Sequence, residues 1–255
     1  MPPDPATHSG RNLRLLKEAL RDMLAALVMF GAVALVFGGI FWLGMAMERR
    51  RDAAMKRVAD TLGWRFTSDC DVEAVRSLAG DLPLLAHGHT REAERMMQGR
   101  AGGRDVAVVD YCWSDGHDDA RISRQQTIAL LDLGRALPAF AIKPAGIVER
   151  VSDMFGENGA PLAGALRWMQ EGSERSAKDI GGDYRLFAEN PEAVAAALGA
   201  RAAELLRGTE GWQLQSSGKA LAVFRSGAYV PEKEIAGLVA EAARFAEAIA
   251  QSGVG

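Results

Sequence analysis

The residues of this chain that could do chemistry are few, and the closest pair of metal-ligand type is His87-Gly88-His89. In an extended strand both imidazoles project to the same face, where they could bind one metal ion together. No third ligand stands nearby in the sequence, unless the fold brings the 117–119 segment, His-Asp-Asp, to the pair. The alternative is two exposed loop histidines. The sequence favours exposed loop histidines. If a metal site is present, His87 and His89 are its candidate ligands.

Two further motifs fail on their spacing. The aspartates of segment 115–119 lack the alternating oxygen ligands and the distal glutamate of a calcium loop, which favours a solvated hairpin tip. Gly218-Lys219 resembles the end of a phosphate loop. That motif needs a glycine five residues earlier and a Ser or Thr after it, and Gln213 and Ala220 stand there instead. The sequence therefore predicts no cofactor.

The remaining reactive side chains are one acid and two thiols. Asp110 follows an apolar run, so it is either a buried acid with a raised pKa or the outward-facing residue of its strand. The alternation of the run favours the outward-facing position. Nothing local pairs Cys70 with Cys112, and Cys112 is expected to be a buried free thiol. No Gly-x-Ser-x-Gly elbow is present, and the sequence predicts no catalytic residue.

Composition and charge narrow the class of protein. The chain has 255 residues, of which 48% are hydrophobic and 25% charged, as in a globular protein. Residues 1–57 carry four excess positive charges, and the remainder carries seven excess negative charges. Nucleic-acid binding depends on a cationic surface, so we expect no nucleic-acid partner for the acidic part.

One segment is apolar enough to lie in a lipid bilayer. From Met23 to Met47 the chain has 25 residues without a charge. As a helix this segment would be about 37 Å long, against a hydrocarbon core of about 30 Å. It is too long for the apolar region of a cleaved signal peptide, and it ends at Glu48-Arg49-Arg50-Arg51. We expect an uncleaved single-pass anchor, a signal-anchor helix.

The flanks of this segment bear on its orientation and assembly. Basic residues flank it on both sides, with the larger cluster directly after it. That bias, with the absence of an evident disulfide, favours a cytoplasmic C-terminal domain. Ala34 and Gly38 form a small-xxx-small pair, which allows a homodimer through the membrane helix.

The rest of the chain divides into recognisable elements. Residues 1–22 are expected to be a disordered basic tail, 48–63 a juxtamembrane helix and 64–255 a soluble domain, with a possible internal boundary near 157–182. The periodicity predicts an antiparallel meander over 92–142. In all we predict strands at 64–67, within 92–98, and at 105–113, 122–132, 138–142, 183–188, 212–216 and 220–225. We predict helices at 71–79, from Pro144 to Gly156, around 162–169, from Pro191 and at 231–251, and a polar loop at 171–182. The fold class is α+β, a mainly antiparallel sheet with helices packed on one face.

The order of several short motifs resembles a known family. A strand led by Gln126-Thr127-Ile128 is followed by a Leu-Pro-x-Phe-x-hydrophobic-x-Pro strand at 137–144. Tyr184-Arg185-Leu186 precedes a helix start at Asn190-Pro191, and Gly63-Trp64 follows the juxtamembrane helix. This pattern resembles an uncharacterised family of bacterial single-span membrane-anchored proteins. The resemblance implies a bacterial source and the inner membrane. The resemblance implies no activity, so it assigns no functional residue to this chain.

These observations leave three hypotheses for function. The first is a membrane-tethered protein-interaction or scaffolding module, with the bilayer and a protein as its partners. The second is a hydrolase-like enzyme, which would show a deep pocket lined by acidic residues or by His87 and His89. The third is a lipid- or small-ligand-binding domain at the membrane surface, which would show an apolar cavity of several hundred cubic ångströms.

Overall fold

The computed structural model of the chain describes residues 6–86, 90–115, 122–144, 177–179, 184–207, 211–218, 220–225 and 227–252. The chain divides into two compact units, Met1–Ala53 and Ala54–Gly255. His87, His89 and the 117–119 segment lie outside the described residues. So do the helices predicted after Pro144 and around 162–169, together with most of the possible boundary at 157–182.

The first helix, α1, covers Ala6–Leu62. Its stretch Met29–Leu62 contains a window of mean hydropathy 2.0, none of it buried by protein, so by length and composition this part can cross a membrane. It is the one such helix within the ranges that the structure describes. The prediction of a disordered tail over 1–22 differs from the structure, since α1 begins at Ala6. Residues 11–22 are rich in Leu, Lys, Glu and Arg and contain neither Pro nor Gly, which favours a helix.

In the residues that the structure describes, the domain is built on one antiparallel sheet of nine strands. The strand order is β1-β2-β3-β4-β9-β8-β5-β7-β6. The strands are β1 (Arg65–Cys70), β2 (Thr90–Ala101), β3 (Arg104–Asp115), β4 (Ile122–Asp132), β5 (Phe140–Pro144), β6 (Ala177–Asp179), β7 (Tyr184–Ala188), β8 (Trp212–Ser216) and β9 (Ala220–Arg225).

Two sequence predictions about the sheet need correction. The predicted meander holds for β2, β3 and β4 but not for β5, because β4 pairs with β9 and β5 pairs with β7 and β8. Hydrophobic periodicity predicts where a strand lies, but it does not predict which other strand pairs with it. The predicted polar loop at 171–182 contains the edge strand β6, which pairs with β7. A polar strand of three residues has no detectable period, and its main chain is held by the partner strand.

Three shorter helices complete the described fold: α2 (Val72–Ala79), α3 (Pro191–Arg207) and α4 (Glu232–Gln251), and a 3-10 turn covers Pro83–Ala86. Side-chain caps begin two of these helices. The Asp71 carboxylate accepts from the Glu73 N–H at 3.0 Å, and the Asn190 side chain accepts from the Ala193 N–H at 3.1 Å. Gly199 interrupts α3 with a φ of 73°.

The two faces of the sheet carry two separate cores. The face of Val108, Leu131 and Val223, here called the helix face, packs against the end of α1 and against α3 and α4. The opposite face, with Ala107 and Leu130, packs against α2 and the 3-10 turn and is here called the α2 face. The α+β prediction is confirmed. The larger helices share one face as expected, and α2 adds packing on the other.

Candidate functional site

An open groove lies on the α2 face, with a volume of about 490 Å³. It crosses one end of five neighbouring strands, from β1 through β2, β3 and β4 to β9. The residues that line it are Arg65, Ser77, Leu78, Gln98, Gly99, Arg100, Asp105, Val106, Ala107, Leu130, Leu131, Asp132 and Ala220. The groove exists because α2 is only eight residues long and leaves this end of the sheet uncovered.

The floor of the groove is formed by a row of direct cross-strand partners. Arg65 pairs with Gln98, Gln98 with Ala107 and Ala107 with Leu130. Partners opposite each other in an antiparallel sheet project from the same face, so this row runs from the exposed Arg65 to Ala107 and Leu130, which are buried. The wall is the last turn of α2, where Leu78 is 38% exposed. The site therefore offers apolar surface that this chain leaves partly open to water.

The charges of the groove are divided between its two sides. Arg65 and Arg100 stand on β1 and β2, and Asp105 and Asp132 stand on β3 and β4. Arg100 pairs with Asp105 at 3.2 Å, and both side chains are largely exposed. Asp132 accepts from the Gly134 N–H at 2.7 Å. Within the described part of the chain Arg65 forms no ion pair, so the groove presents an open cation on one side and an exposed carboxylate on the other.

A second polar constellation lies on the helix face and is here called the polar cluster: Glu92, Glu94, Arg95, Asp110 and Cys112. A β-bulge separates Ala93 from Arg95 and leaves Glu94 without a partner in the register. The bulge directs Glu94 and Arg95 to the face on which Glu92, Asp110 and Cys112 project, because Glu92 pairs with Cys112 and Arg95 with Asp110. Five polar side chains are thereby collected from two strands.

The preferred interpretation of Asp110 as an outward-facing residue is wrong, because Asp110 is fully buried. Its carboxylate accepts a hydrogen bond from the Thr127 hydroxyl at 2.6 Å and lies 3.8 Å from the Arg95 guanidinium. The Thr127 oxygen in turn accepts from the Val230 N–H at 3.0 Å. The chain segment before α4 covers this part of the sheet, so both sides of β3 are buried and alternation along the strand no longer marks a solvent face.

Three members of the polar cluster could serve as metal ligands. The ligand atoms of Glu92, Glu94 and Cys112 lie within 4.8 Å of one another. Burial, followed by Glu94 and Glu92, raises the pKa of the Cys112 thiol to about 12, so it is protonated at neutral pH. The thiol donates to the Glu92 carboxylate at 3.9 Å. A metal ion would have to displace that proton in order to bind the thiolate. The hydrogen bond between the thiol and the acid therefore explains this arrangement without a metal ion.

One buried cation lies away from both sites. Lys143 on β5 is 5% exposed, and burial lowers its pKa to about 8. Its cross-strand partner on β7 is Arg185. On the α2 face it continues a run of buried polar side chains that includes Gln213 and Gln215 on β8. The run could not be predicted from the sequence, since it depends on the pairing of β5 with β8.

The sequence reasoning missed both the groove and the polar cluster. The spacing Glu92-x-Glu94 in a strand was a visible signal, because residues two apart share a face. Its pairing with Cys112 depends on the register. The groove has no sequence signal at all, since it is bounded by five strands that are distant in the chain and by the shortness of α2.

No protein-family model matches the sequence. No curated protein matches it either. Among solved structures, the chain is similar to the crystal structure of the mycobacterial trehalose monomycolate transport factor A, TtfA, at 12% sequence identity and a TM-score of 0.45. The similarity covers 79% of this chain and 93% of that one. A likeness at this level assigns no function to the chain, and the resemblance to a bacterial membrane-anchored family stays a prediction.

Proposed function

We propose that this protein is a single-span membrane protein whose α+β domain binds a protein partner beside the bilayer. The apolar segment from Met23 to Met47 supplies the anchor, and its large side chains in the described part of α1 are exposed, as lipid contact requires. The last turns of α1 belong to the domain, where Met55 and Ala59 are fully buried.

The observation that carries the binding role is the groove on the α2 face. Its open apolar surface is the exposed part of Leu78 on the wall, above the buried floor residues Ala107 and Leu130, and its charges stand at the rim. Apolar surface inside a polar rim is typical of binding sites for macromolecules. The hydroxyl of Ser77, a lining residue, donates to the Ala74 carbonyl of its own helix at 2.7 Å, which favours binding over a hydrolase-like reaction.

The charge of the flanks supports a cytoplasmic position for the domain. The flank after the apolar segment carries five basic residues against four before it, and three of the five are Arg49, Arg50 and Arg51, close to the span. By the positive-inside rule it favours a domain on the cytoplasmic side of a bacterial inner membrane. Cys70 and Cys112 are both free thiols, which suits a reducing compartment.

The anchor is tested by fractionation of the full-length protein. It should stay with membranes after carbonate washing and require detergent for release, with its first fifty residues still present. A reporter fused after Gly255 should be active only as a cytoplasmic fusion. Recovery of the intact protein in the soluble fraction would contradict the proposal.

The binding role is tested by site-specific photo-cross-linking in native membranes. A photoreactive amino acid at Leu78, on the groove wall, should form a defined adduct with one protein. The same amino acid at Glu204, which is exposed on α3 and packs on the other face, is the matched control. If both positions cross-link to the same set of proteins, the adducts reflect non-specific neighbours, and the groove is not the binding site.

A further inference from the structure

We draw no further inference here: the strongest candidate, the directly paired side chains of Tyr111 on β3 and Gln126 on β4, whose phenol oxygen and amide nitrogen are buried without a hydrogen-bond partner, carries nothing, because both side chains are enclosed by protein and nothing in the structure shows what ligand would reach them.

Discussion

The Thr127 hydroxyl donates a 2.6 Å hydrogen bond to the carboxylate of Asp110, and both side chains are fully buried. The same hydroxyl oxygen accepts from the Val230 N–H at 3.0 Å. One side chain on β4 thus joins a buried acid of β3 to the chain segment before α4. A buried carboxylate without hydrogen bonds is costly, so this contact is expected to be a main support of the polar cluster.

Thr127→Val should therefore destabilise the domain. The change keeps the shape and removes the hydroxyl, so the hydrogen bonds from Thr127 to Asp110 and from the Val230 N–H to Thr127 are both lost. We expect the free energy of unfolding to fall by about 2–4 kcal/mol. The measurement is urea unfolding of the full-length protein in mild detergent. Thr127→Ser is the matched control: it keeps the hydroxyl, loses one methyl group and should cost about 1 kcal/mol. Equal losses for the two variants would show that the hydrogen bonds contribute little.

Gly99→Ala should distort the beginning of β1. The indole of Trp64 lies against the α-carbon of Gly99, and an added methyl group would overlap it. The Trp64 ring would have to move, at an expected cost of about 1–3 kcal/mol. Unfolding by urea measures the loss, and tryptophan fluorescence should shift in the folded state.

Gly237→Ala is the control for that change. Gly237 lies in α4, and no atom stands within 4 Å of the position that its added methyl group would occupy. Alanine is the better helix former, so this variant should gain up to about 1 kcal/mol. A Gly99→Ala protein as stable as the unchanged chain would mean that Trp64 does not pack on β2.

Lys143 should make the stability of the domain rise with pH. Burial lowers its pKa to about 8 from an ordinary value of 10.5, so between these values the unfolded chain binds the proton and the folded chain does not. Stability therefore increases as pH rises from about 8 toward 10.5, and the cost of burying the charge is fully present below pH 8. That cost is roughly 3 kcal/mol.

The Lys143→Met variant isolates this contribution. Urea unfolding at pH 7.5 and 9.5 should show the unchanged protein gaining stability relative to the variant, which lacks the titrating amine. Thiols and phenols with raised pKa values act in the opposite direction at alkaline pH, and they are the same in both proteins. A constant difference between the two proteins at both pH values would contradict the lowered pKa of Lys143.

Cys112 should react slowly with alkylating agents near neutral pH. Its pKa is raised to about 12, with burial as the largest cause, so the thiolate is scarce at pH 7.5. Iodoacetamide modification followed by mass spectrometry should be orders of magnitude slower at Cys112 than at the same residue in guanidinium chloride. Rapid modification in the folded protein would show that the thiol is ionised, as it would be if a bound metal ion had displaced its proton.

The sequence determined the elements of this protein because each depends on local physics. The uncharged run from Met23 to Met47, the caps at Asp71 and Asn190, and the glycine turn between β2 and β3 are set by neighbours in the chain. The periodic apolar stripe of α4 is equally local, and all of its members are buried: Ile235, Leu238, Val239, Ala242, Phe245, Ala246 and Ile249.

Tertiary structure alone decided which strands are neighbours and what they bring together. The insertion of β9 beside β4, the burial of Asp110 under the segment before α4 and the groove between α2 and five strands all arise from contacts between residues distant in the chain. A hydrophobic pattern specifies that a face is buried and is silent about what buries it. The anchor could therefore be predicted from sequence, and both candidate sites required the fold.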